Sequence, residues 1–104
     1  MNSPTIDKQR IEEVILDAIR TTNLAREPEN QLQESTTAPL YTEGSPLDSL
    51  GLVSLLMEVE EGLREEGVEM SLSDERAMSQ KQSPFRDVPS LVRYVEGVLS
   101  EMQP

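Results

Sequence analysis

The sequence contains no cysteine, no histidine and no tryptophan. Without cysteine, neither disulfides nor thiolate metal sites can hold the fold together. Without histidine, the commonest general base and metal ligand are missing, and the inventory argues against enzymatic chemistry. Aromatic residues make up 3% of the chain, so its core must be built from Leu, Ile, Val and Met. Basic residues are scarce as well, nine against twenty acidic, for a net charge of −11. A nucleic-acid partner is excluded on that count, because phosphate binding needs a basic surface to displace counterions. No apolar run approaches the length of a membrane span, and no basic segment leads into an apolar stretch as in a signal peptide. The expected location is the cytoplasm.

With 104 residues the chain is expected to form a single domain, with an ordered core over about 5–100 and no internal repeat. The acidity is concentrated. Residues 43–75 hold ten acidic side chains and one basic, a net of −9. Such a field draws basic partner surfaces in and speeds encounter more than it adds affinity. On its own it equally describes a solvated acidic face. Glu58, Glu61, Glu65 and Glu66 lack the turn glycine and alternating oxygen ligands of a calcium loop, so no metal site is expected.

Three helices are legible. From about Thr5 to Thr21, Ile11, Val14, Ile15, Ala18 and Ile19 recur at i, i+3, i+4, i+7 and i+8, one face of an amphipathic helix. Residues 22–46 lose that period and carry Asn23, Pro28, Asn30, Pro39, Gly44 and Pro46. This is a long connection for a compact domain, with Leu24, Leu40 and Tyr41 as its expected anchors and a short helical turn possible within 29–34. A second helix is predicted from Ser49 to about Glu65, with Gly67 as terminator. A short helix is expected around Leu72–Met78, then a polar loop to Pro84. Phe85 and Val88 should anchor the far end of that loop. The final helix has Pro89 at its first position and a stripe of Leu91, Val92, Val95, Val98 and Leu99, with Glu101–Pro104 frayed. The fold class is all-α, a bundle of three principal helices plus one short helix, with a long first loop.

The start of the second helix carries the chemistry. Asp48 is a natural N-cap, Leu47 and Leu52 fall at the N′ and N4 positions of a hydrophobic staple, and Ser49 is the first helical residue. An anionic group esterified to the Ser49 hydroxyl would be stabilised by the helix dipole and by free N–H donors. The helix has two apolar stripes. Leu52, Leu55, Leu56, Val59 and Leu63 fit a buried face, while Leu50, Val53 and Met57 form a narrower stripe beginning beside Ser49.

The run Asp48-Ser49-Leu50, followed by Leu52-Val53, Leu55-Leu56-Met57-Glu58-Val59 and Glu60-Glu61, resembles the prosthetic-group site and second helix of acyl carrier proteins. The likeness covers about residues 5–100 and is strongest over 46–63. In that family the serine carries 4′-phosphopantetheine, whose thiol holds acyl or aminoacyl chains as thioesters. The resemblance implies that Ser49 is the attachment point and that Asp48 orients the helix start. It implies a partner surface of Leu50, Val53 and Met57, ringed by Glu58, Glu60 and Glu61. The implied partners are a phosphopantetheinyl transferase, a loading ligase and downstream transferases with basic docking surfaces. The chain would be a monomeric carrier, a substrate and shuttle for enzymes of lipid or secondary metabolism rather than a catalyst. It also accounts for the long first loop. Gly51 and Ser54 replace acidic residues common in fatty-acid carriers, which implies a specialised stand-alone carrier of bacterial type. The alternative is an acidic helical interaction module that binds a basic protein and receives no cofactor.

Overall fold

A computed structural model of the chain describes residues 6–42, 44–72 and 84–102. Over these residues it is an all-α bundle of α1 (Lys8–Asn23), a single 3₁₀ turn (Pro28–Asn30), α2 (Ser49–Glu65) and α3 (Val88–Met102). The expected short helix falls almost wholly on residues 73–83, outside the described residues, as do the terminal residues 1–5 and 103–104. Leu72, at its start, is buried in the core.

All three helices open on an aspartate. Asp7 Oδ1 accepts from the Arg10 N–H at 2.9 Å, Asp48 Oδ1 from the Gly51 N–H at 2.7 Å, and Asp87 Oδ1 from the Ser90 N–H at 2.9 Å. Each bond satisfies one N–H that the first helical turn leaves without a partner. Burial works against the charge on Asp87, but the Ser90 hydroxyl and N–H, with Arg86, outweigh it and hold that carboxyl below its ordinary value. The cap at Asp7 moves the start of α1 to Lys8, three residues beyond the predicted Thr5. The cap at Asp87 makes Pro89 the second residue of α3 rather than the first. Val88 takes the first position because its N–H has a partner there, the Ala38 carbonyl at 2.9 Å. A proline costs as little one residue further in, where the N–H would also lack a helical acceptor.

α2 runs over the residues its pattern predicts, and its end shows why. The Val68 N–H donates to the Leu63 carbonyl and the Gly67 N–H to the Arg64 carbonyl, both at 2.9 Å, closing a Schellman motif. The motif needs a left-handed residue, and Gly67 supplies it at φ +86°. Leu63 and Val68 are buried together beneath it. At the other end of the chain α3 continues through Glu101 to Met102, past the point where fraying was expected.

α1 is the shared element, packing along α2 and against α3. α1 and α2 run antiparallel, since Arg10 near the start of α1 pairs with Glu66 just past the end of α2. The predicted stripe of α1 is buried throughout and meets Leu52, Leu55, Leu56, Val59 and Leu63 of α2 and Leu91, Val92 and Val95 of α3. Val98 and Leu99 are half-buried, at the edge of the core. Phe85 is buried and meets the half-buried ring of Tyr94 edge-on, with centroids 6.3 Å apart and planes at 70°. This is a favourable arrangement for two ring quadrupoles.

The long first loop is pinned by residues other than those its apolar content suggests. Leu40 is buried as expected, but Leu24 is 85% exposed and Tyr41 is also exposed; Leu32, Ala38 and Leu47 anchor the loop with Leu40. Leu24 caps the end of α1, off the core stripe. Tyr41 lies at a bend directly after Leu40, and there its side chain is left outside the core. The buried amide of Asn23 clamps Leu32 twice, accepting from its N–H at 2.8 Å and donating to its carbonyl at 2.9 Å. The short turn forms at Pro28–Asn30, beginning one residue before the 29–34 window and ending within it, with Pro28 as its first residue. Beyond Ala38 the loop pairs antiparallel with the approach to α3 through a bridge between Pro39 and Asp87. The Leu40 N–H donates to Arg86 O at 2.8 Å and the Tyr41 N–H to Phe85 O at 2.9 Å.

Candidate functional site

Ser49 is the first residue of α2 and exposed, as is the Asp48 cap before it. Leu47 and Leu52 are both buried, as a hydrophobic staple requires, so the chain enters the helix at a fixed angle. The loop ahead of it is held by Ser45, whose hydroxyl donates to the Leu40 carbonyl and accepts from the Leu47 N–H at 3.2 Å. Asp48 takes the Gly51 N–H with its carboxylate and the Leu52 N–H with its carbonyl, at 2.7 and 2.8 Å. Among the described residues, the N–H groups of Ser49 and Leu50 have no protein partner. A hydroxyl in water thus stands beside two free donors at the positive end of a 17-residue helix.

Arg26, which carries no local signal in the sequence, reaches this turn. Its Nε donates to the Asn30 carbonyl at 2.7 Å and its Nη2 to the Pro46 carbonyl at 2.8 Å. Its Nη1 lies over Gly51. A Cβ at position 51 would stand 3.3 Å from that nitrogen, 3.1 Å from Asp48 Oδ1 and 2.9 Å from Leu47 Cδ1. The glycine that weakens the first turn by about 1 kcal/mol relative to alanine therefore makes room for three neighbours. Arg26 and Gly51 also line an open groove of about 300 Å³ between the end of α1 and the start of α2, with Thr21, Thr22, Ser54 and Glu58.

The two stripes of α2 separate as their spacing predicts. Leu52, Leu55, Leu56, Val59 and Leu63 are buried, whereas Leu50 is 80% exposed, Met57 59% and Val53 37%. An apolar strip therefore runs from Ser49 along the outer face of α2. The acidic residues beside it differ in their engagements. Glu58 is exposed and Glu61 pairs with Arg64 at 3.0 Å. Glu60 is half-buried and accepts the Leu72 N–H at 2.6 Å, fixing the segment after α2 to that helix, a contact the sequence does not signal. Glu66 binds Arg10, and this hydrogen bond, against partial desolvation, holds its carboxyl below the ordinary glutamate range. Among the described residues no three acidic side chains converge as a metal site would require, and no helix is long and apolar enough to cross a membrane.

Compared with protein-family models, curated proteins and solved structures, the chain has no significant match.

Proposed function

We propose that this chain is a carrier protein bearing 4′-phosphopantetheine on Ser49. The observation that carries the reading is the join of two features at one point of α2. An exposed serine hydroxyl follows an aspartate cap at the helix start, and an exposed apolar strip of Leu50, Val53 and Met57 begins beside it. The residues present suit the group. The Ser49 hydroxyl is open to solvent, and the free N–H groups of Ser49 and Leu50 at the positive end of α2 would favour the negative charge of a phosphodiester. In the loading step Ser49 Oγ forms a bond to the pantetheine-bearing phosphorus of coenzyme A. The bond to adenosine 3′,5′-diphosphate breaks, and the serine proton passes to a general base of the transferase.

Once bound, the arm supplies a thiol for acyl or aminoacyl thioesters. The chain's own residues do the rest. Asp48 holds the helix start, Leu50, Val53 and Met57 offer apolar contacts to each partner, and Glu58, Glu60 and Glu61 set the negative field that steers basic docking surfaces. Tethering raises the local concentration of the cargo at each partner's active site. On this reading the protein is a substrate and shuttle for a transferase, a loading ligase and downstream enzymes.

The test is incubation of purified protein with coenzyme A and a broad-specificity phosphopantetheinyl transferase, read by intact mass. Addition of one phosphopantetheine is expected. A well-folded protein that gains none supports the other reading, an acidic helical module that binds a basic protein partner and receives no cofactor.

A further inference from the structure

Arg26 occupies an unusual place in this chain. It is one of nine basic residues against twenty acidic ones, yet among the described residues its guanidinium pairs with no carboxylate. Its two hydrogen bonds go to backbone carbonyls on either side of a long stretch of loop, Asn30 at the end of the 3₁₀ turn and Pro46 two residues before Asp48. The fork geometry of a guanidinium can reach two such acceptors at once, which a lysine ammonium on its flexible stem does far less well. Its third nitrogen lies over the first turn of α2, where the absence of a side chain at Gly51 admits it. Arg26 is half-buried and outside the hydrophobic core.

We propose that Arg26 is a positioning residue for modification at Ser49. It ties the Pro46 carbonyl to the end of α1, and so holds the Pro46–Gly51 turn in the conformation a phosphopantetheinyl transferase recognises. The inference rests on the carrier reading of Ser49 and extends it to a residue 23 positions away in sequence. Without the clamp, the turn has one of its supports left in the Ser45 hydroxyl and one in the Asp48 cap. The turn then samples other conformations, and only a fraction of molecules presents Ser49 correctly. A partner that binds only the competent fraction sees its apparent affinity reduced by that fraction, while turnover of bound protein is unchanged.

The test compares wild type with Arg26→Ala and Arg26→Lys in the transferase assay, alongside backbone amide exchange at Gly51 and Leu52 and a thermal melt. Both variants are expected to melt close to wild type, because no core side chain is touched. In both, amide exchange at Gly51 and Leu52, whose N–H groups Asp48 holds, should be faster and the KM for the protein should rise several-fold, on the order of five, with kcat held. A lysine variant indistinguishable from wild type would show that charge suffices, and would overturn the two-carbonyl clamp. Unchanged KM and exchange in the alanine variant, with a wild type that is modified, overturns the positioning role alone. A folded wild type that takes no phosphopantetheine overturns the carrier reading, and the positioning role with it.

Discussion

Val14 and Gly62 set how closely α1 and α2 approach: a Cβ on Gly62 would stand 2.8 Å from Val14 Cγ1. The valine is β-branched and held to one preferred rotamer in a helix, so it cannot swing aside. Gly62→Ala gains about 1 kcal/mol of helix propensity but forces the helices apart, at a cost of roughly 1–3 kcal/mol. The expected net effect is destabilisation in denaturant melts. A stabilised Gly62→Ala would mean that the helices can separate without loss of packing.

The two stripes of α2 should respond differently to truncation. Val59 is fully buried, so Val59→Ala should destabilise by roughly 1–3 kcal/mol through lost transfer energy and the cavity it leaves. Met57 is 59% exposed, and Met57→Ala should cost less than about 0.5 kcal/mol. Its effect should fall instead on loading by a partner enzyme. Equal losses of stability in the two variants, with equal loading, would contradict an outer strip used for docking.

Arg10 and Glu66 join the start of α1 to the residue that ends α2. The Glu66 carboxyl is held below its ordinary value near 4.5 by the hydrogen bond from Arg10, against partial desolvation. A depressed carboxyl contributes stability above its unfolded value, and that contribution disappears as pH falls through the folded one. Wild type should therefore melt above Glu66→Gln at pH 6, and the gap should narrow as pH falls below about 4.5. A gap that stays constant as pH falls below about 4.5 would assign the difference to something other than this pair.

The sequence and the structure agree most closely where the signal is local. Asp48, the staple of Leu47 and Leu52, the bounds of α2 and the division of its apolar residues all follow from spacings within one helix and its cap. The anchors of the long loop do not. Leu24 and Tyr41 are apolar or aromatic, but nothing in their neighbourhood says which way they face. What fixes the loop is the Asn23 amide on the backbone of Leu32, nine residues on, and a bridge from Pro39 to Asp87. Such contacts leave no periodic trace. Arg26 and Glu60 were illegible for the same reason. Both act on backbone groups distant in sequence, and a lone charged residue in a loop or on a helix otherwise reads as solvated surface.

The most direct measurement is the position of the added group. Three serines lie close together in sequence here: Ser45, whose hydroxyl is engaged with Leu40 and Leu47, and Ser49 and Ser54, both exposed on α2. Protein treated with coenzyme A and transferase should be digested and fragmented to locate the phosphopantetheine, with Ser49→Ala treated in parallel. The predicted result is one group per chain, on Ser49 alone, and none on the folded Ser49→Ala variant. A group on Ser45 or Ser54, or undiminished modification of Ser49→Ala, would contradict the assignment of Ser49 as the attachment point.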